Sequence, residues 1–180
     1  LKVAVTGLVS IYAKMVDYLV RSLLANIFLS FIAIFFMLLI LTRSFVIASI
    51  AMVPNIVPVL LTLGIMGWTG ITLNVGTVMI SCIALGIAVD SAIHFVARMR
   101  EELQQGGDYL SAIHRTFMGT GRAITFTALV ITAGFLILVF SHFLPTRYFG
   151  VLMALTMLSS LIASLTILPA LLSIFKPRFP

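Results

Sequence analysis

Apolar runs of about 20 residues recur along this chain, each long enough to cross a bilayer core of about 30 Å. In lipid a helix satisfies its own backbone polar groups, so such runs leave few alternatives to a helical bundle. Composition agrees. Of the 180 residues, 62% are hydrophobic and 9% charged, whereas a soluble domain carries roughly a quarter charged residues. The expected fold class is all-α: a polytopic membrane bundle of about five transmembrane helices with short interfacial helices.

The single cysteine, Cys82, falls inside an apolar run and cannot pair within the chain, so it says nothing of redox compartment. The chain begins at Leu1, with no initiator Met, basic n-region or small-residue cleavage site. Nothing there reads as a signal peptide, and a piece of a longer protein is expected. The formal charge of +6 does not point to nucleic acid. The basic residues are scattered at the ends of apolar runs rather than clustered with aromatics, which makes them headgroup anchors.

Residues 1–22 form an amphipathic lead-in. Leu8, Ile11, Tyr12, Met15 and Leu19 fall at helical spacing, with Lys14, Asp17 and Arg21 on other faces, as in an interfacial segment. Spans are expected at 23–42, 45–67, 73–97, 123–141 and 148–174 of a transmembrane bundle covering 23–180. In the second, Pro54 and Pro58 remove backbone donors and should kink or locally unwind the helix. Trp68 sits in a short loop at the interface. A polar stretch follows the third span from Arg98. Asp108 then reads as the N-cap of a short helix over 108–118, with Leu110, Ile113 and Phe117 on one side and the pair Gly119 and Gly121 ending it. This helix is expected to lie flat on the membrane. Arg43, Arg98, Arg100, Arg115, Arg122, Lys176 and Arg178 share one side; Lys14, Arg21 and Arg147 share the other. The larger group should be cytoplasmic.

Asp90 is the only carboxylate inside any expected span. It lies roughly 10 Å, at 1.5 Å per residue, from the cytoplasmic end of the third. An ionised carboxylate at that depth costs a few kcal/mol, so such groups face protein or water and commonly mark an ion or proton path. The plainer alternative is a carboxylate held by local partners for assembly alone. His94 lies four residues on, on the same helical face. Its imidazole either relays a proton between Asp90 and the inner surface or simply orients Asp90 and snorkels. Cys82 and Gly86 precede Asp90 at four-residue spacing, and small side chains there let another helix approach closely. Asn74, Thr77 and Ser81 project to a second side. In the fourth span Thr125, Thr127 and Thr132 bracket the depth of Asp90. A hydroxyl there donates to a carboxylate or orders a water, or bonds back to its own helix.

Enzymatic readings fare poorly. A His-Glu-x-x-His zinc motif, a second intramembrane aspartate and a glycine-rich phosphate loop are all missing from the sequence. No catalytic residue, metal site or cofactor is assigned.

The run GIAVDSAIHFVARMREE, the Ala112-Ile113-x-x-Thr116 segment, GRAITFTALVITAGF, PTRYFGVLMALT and ILPALL occur in that order, with VPNIVPVLLTLGIMGWTGITLN upstream. Together they resemble the RND superfamily, and within it the MMPL-like branch of predicted exporters. More distantly the five-helix unit is similar to sterol-sensing domains. The resemblance implies two membrane halves related by internal repetition, each with a large extracytoplasmic domain. This chain matches the second half without its first helix or soluble domain. The implied partners are the missing N-terminal half and the extracytoplasmic domains, a lipid or other hydrophobic substrate, and membrane lipids; self-assembly is left open. The implied location is multi-pass in a bacterial inner membrane. The implied activity is proton-driven export, in which Asp90 falls on the family's coupling aspartate and Thr127 on a relay threonine of related drug-efflux pumps. Ser91 departs from the pattern, since many relatives carry a second Asp or a Tyr there. A sterol-sensing-type lipid-binding or regulatory module is the alternative.

Overall fold

The computed structural model describes residues 8–71, 75–105 and 108–177, and of residues 8–10, 75–78, 81 and 82 the backbone alone. Asn74 and Arg178 lie outside the described residues, as do the side chains of Thr77, Ser81 and Cys82. Among the described residues the chain is all-helical. The helices are α1 (Leu8–Thr42), α2 (Phe45–Thr69), α3 (Val75–Gln104), α4 (Tyr109–Thr116), α5 (Arg122–Ile137) and α6 (Leu144–Phe175). A π turn over Phe117–Gly121 joins α4 to α5, and a 3₁₀ turn over Leu138–Phe140 ends α5.

Among the described residues, four helical stretches are long and apolar enough to cross a membrane: Ile11–Thr42, Phe45–Thr69, Tyr109–Phe140 and Leu144–Phe175. The fifth long helix, α3, has 30 residues. Its last turns carry Arg98, Arg100, Glu101 and Glu102. It packs against α1, α2 and α6, inside the bundle rather than beside it.

Three features of the chain path differ from the sequence reading. α1 is one unbroken helix of 35 residues, with no interruption near residue 22. The polar stretch after Arg98 is helical through Gln104, because α3 simply continues. Gly119 and Gly121 do not stop a helix; the π turn carries it through, and the whole of Tyr109–Phe140 is continuous. Gly121 is buried there, and a Cβ on it would stand 3.6 Å from the Phe117 ring and 3.7 Å from Leu165. Packing of the turn on α3, with Gly121 set beside Leu165 of α6, thus holds helical a segment whose glycines disfavour helix by about 1 kcal/mol each.

α2 stays helical across Pro54 and Pro58, so the expected unwinding does not occur. The Thr62 hydroxyl lies 2.8 Å from the Pro58 carbonyl and 2.6 Å from the hydroxyl of Thr156 on α6, a buried polar link between two central helices. α1 ends in a tight turn in which Arg43 adopts a left-handed conformation (φ 50°) and its N–H returns to the Leu39 carbonyl. Gly70 does the same after α2 at φ 69°, where the absence of Cβ removes the strain.

The main core joins α1, α2, α3 and α6 around Leu38, Ile47, Leu85, Phe95, Met99 and Leu168. A second cluster around Met66, Ile80, Leu152, Met153 and Met157 closes the other end. α5 packs chiefly on α6, and much of its opposite surface stays exposed, including Phe126, Val130 and Ile137.

Candidate functional site

Asp90 and His94 stand one turn apart on α3, and the helical period brings Asp90 Oδ1 within 3.3 Å of His94 Nε2. Neither is buried by this chain: their side chains are 65% and 61% exposed. Both line a groove of about 210 Å³ between α3, the π turn with α5, and α6. Thr127 lines the same groove from α5. The three residues named together from the sequence are thus neighbours around one cavity. An acceptor, an imidazole and a hydroxyl around a space of that size can share hydrogen bonds with a water between them.

The other two threonines go elsewhere. Thr125 donates to the Gly121 carbonyl at 2.8 Å, bonding back to its own helix. Thr132 is buried, and its hydroxyl has no partner among the described residues. Sequence reasoning missed Thr120 of the π turn and Ser160 of α6, both of which line the groove. The only sequence signal for Ser160 was the polar pair Ser159-Ser160 within an apolar run.

The packing role expected of Gly86 finds no counterpart within the chain. Gly86 is exposed, and a Cβ built on it meets no atom within 4 Å. Gly86, Asp90 and His94 therefore share an open flank of α3 that no helix of this chain covers. The same expectation for Cys82 falls on a side chain outside those described.

A second polar centre ties the end of α3 to α4. Glu102 is only 3% exposed. It receives Arg98 at 2.6 Å and Arg115 of α4 at 2.7 Å, while Arg98 also reaches Glu101 at 2.9 Å. Two guanidiniums, each a rigid multi-donor fork, give this carboxylate the hydrogen bonds that burial takes from it. Arg100 extends from the same helix end to the Leu41 carbonyl of α1 at 3.4 Å. Among the described residues no group of His, Cys, Asp and Glu is placed to hold a metal ion.

Comparison with known proteins adds to this geometry. The model of the MMPL family matches residues 1–179. The trehalose monomycolate exporter MmpL3 of Mycolicibacterium smegmatis is 38% identical over 101 residues, which cover 55% of this chain and 10% of that protein. The siderophore exporter MmpL5 of Mycobacterium tuberculosis is 28% identical over 178 residues, 96% of this chain and 18% of that one. A membrane protein of Methanocaldococcus jannaschii is 32% identical over 143 residues, 79% of this chain and 37% of its own length. The chain thus spans only a tenth to somewhat over a third of these relatives. Among solved structures, SecDF, a translocon-associated membrane protein from Thermus, superposes with a TM-score of 0.78 at 22% identity, covering 89% of this chain and 23% of that one. At that identity the likeness speaks for the helical fold alone.

Proposed function

The chain belongs to the MMPL family of the RND superfamily, and from that premise we propose that it is a membrane half of a secondary transporter that exports lipid-like or other hydrophobic substrates. Export is coupled to the proton gradient through Asp90, with His94 and Thr127 as its hydrogen-bonding neighbours. The observation that carries the reading is the Asp90 carboxylate, midway along α3, paired with His94 at 3.3 Å and facing a groove that Thr127 also lines. An ionisable group at such depth is expensive unless the protein uses it, and a site open to water and protein on one flank suits a group that must gain and lose a proton.

The flank of α3 bearing Gly86, Asp90 and His94 is where a second membrane half would pack. Gly86 lets a helix backbone approach closely, and the approach would remove Asp90 from bulk solvent. The partners are the N-terminal half and the extracytoplasmic domains of the same transporter, with membrane lipids around the exposed surfaces of α1 and α5. The substrate class rests on the family relatives, two of which are named as exporters of trehalose monomycolate and of a siderophore.

The test is Asp90→Asn in the full-length transporter, which keeps the side chain's shape and deletes its titration. Gradient-dependent export should disappear while expression and membrane insertion stay near wild type. His94→Ala should reduce export more mildly, since a water can replace the imidazole. Wild-type export by Asp90→Asn would make the carboxylate structural, whereas absence of gradient-dependent export from the wild-type transporter would favour a sterol-sensing-type lipid-binding module.

A further inference from the structure

A second groove runs along α5, on a different face from the one that meets Asp90. It encloses about 300 Å³ and is lined by Phe117, Met118 and Gly121 of the π turn and by Arg122, Thr125, Phe126 and Leu129 of α5. None of these residues lines the Asp90 groove. The four large apolar side chains on its walls are all exposed. Only two of the lining side chains are polar. The Thr125 hydroxyl already donates to the Gly121 carbonyl at 2.8 Å, which leaves Arg122 as the groove's available donor.

Nothing in the chain neutralises that guanidinium. Of the five side-chain carboxylates, Asp17 pairs with Arg21, Asp90 with His94, Glu101 with Arg98, and Glu102 with Arg98 and Arg115. The fifth, Asp108, precedes the continuous helical run Tyr109–Phe140 and stands about 20 Å from Arg122 along its axis. Arg122 opens α5 at the end of the bundle that also bears Arg98, Arg100 and Arg115. Leu129 lies about 10 Å deeper in the apolar part of the same helix.

We propose that this groove binds one anionic phospholipid, its phosphate paired with Arg122 and an acyl chain lying against Met118, Phe126 and Leu129. A guanidinium is a rigid fork that meets two phosphate oxygens at once. Its stem can lie on apolar surface while the head stays at headgroup level. No lining residue is a carboxylate that would repel the phosphate. A zwitterionic lipid brings an ammonium that offsets its own phosphate, so an uncompensated arginine favours a headgroup of net negative charge. The exposed apolar walls below Arg122 offer a chain the contact that water would not. The proposal needs only that the chain spans a membrane, and is independent of the role of Asp90.

Quenching by brominated lipids tests this in the full-length transporter reconstituted in phosphatidylcholine vesicles. Phe126→Trp, or independently Leu129→Trp, places an indole in the groove; the parent measures the background of other tryptophans, Trp68 among them. Brominated phosphatidylglycerol should reach half-maximal extra quenching at a mole fraction about fivefold below that of brominated phosphatidylcholine, the scale of one Lys or Arg at an anionic surface. Adding Arg122→Gln should bring the two lipids within about twofold. Adding Arg100→Gln, which removes a charge from the same end of the bundle but outside the groove, should leave the preference in place. Equal mole fractions for the two lipids in the reporter proteins overturn the proposal, as does a preference that survives Arg122→Gln. A preference that falls as far in Arg100→Gln overturns it too, since a diffuse field of charge would then replace the site. If neither lipid quenches either indole in protein that inserts at the parent's level, another part of the transporter covers the groove and the lipid site is rejected.

Discussion

Gly150, near the start of α6, is where the packing leaves no room for even one methyl group. A Cβ there would stand 2.7 Å from the Phe135 carbonyl oxygen and 2.8 Å from Leu138 Cβ. Neither atom is the movable end of a side chain: one is backbone of α5 and the other is fixed to it. Carbon contacts relax at about 3.5 Å, so Gly150→Ala must part the helices locally by about 0.7 Å. That gap would loosen the edge-to-face pair of Phe135 and Phe149, whose ring centres are 6.0 Å apart. Overpacking costs about 1–3 kcal/mol, and rigid neighbours place this site at the upper end. Replacing a helical glycine by alanine returns about 1 kcal/mol. The expected net loss is about 2 kcal/mol, or roughly 4–8 °C in melting temperature for a chain of this size. Thermal unfolding in detergent, followed by far-UV circular dichroism, reads it directly. Gly86→Ala is the matched control, since its Cβ meets nothing within 4 Å; it should melt at or slightly above the parent. If Gly150→Ala melted as high as the parent, the close approach of α5 and α6 would not be the reason for glycine at that position.

Three further outcomes follow from the same contacts. Glu102→Ala leaves Arg98 and Arg115 without their shared acceptor and should lower stability in the same melt by about 2 kcal/mol, less than a fully buried pair because both guanidiniums are partly exposed; Glu102→Gln should fall between. Thr62→Val and Thr156→Val, combined in a double-mutant cycle, should give a coupling of about 0.6 kcal/mol, the usual scale for a hydrogen bond between membrane helices. In a Cys82→Ser background, Gln105→Cys should react with an impermeant thiol reagent only from the cytoplasmic side, since it follows the basic end of α3; labelling from outside intact cells would invert the bundle.

Much of the architecture was legible in one dimension because bilayer thickness and the helical period are local constraints. Runs of about 20 apolar residues can only be spans. A carboxylate and an imidazole four residues apart must share a helix face, whatever surrounds them, and the structure places Asp90 and His94 at 3.3 Å. Breaks were less legible. Gly119 and Gly121 read as a stop, yet packing on α3 carries the chain through them in a π turn. Pro54 and Pro58 read as points of weakness, yet α2 is helical across both. Local propensities of a kcal/mol or so yield to burial along a whole helix.

What no local pattern could supply is rotation and register between helices. Thr125, Thr127 and Thr132 are equivalent in the sequence, but only Thr127 faces the Asp90 groove, because the contacts of α5 with α6 fix its rotation. Ser160 joins that groove from a helix 70 residues away in the chain, a distance over which periodicity carries no information. Gly86 and Gly150 look alike as letters; one faces open space and the other a carbonyl at 2.7 Å. Glu102 belongs to a polar stretch in the sequence, and in the structure it is a buried acceptor that Arg115 reaches from α4 as well as Arg98 from its own helix. The sequence by itself determined which segments are helical and which residues share a face, since both are set within a few residues by backbone geometry and the thickness of the lipid. Which faces meet was decided by tertiary packing, where many side chains far apart in the chain must fit at once.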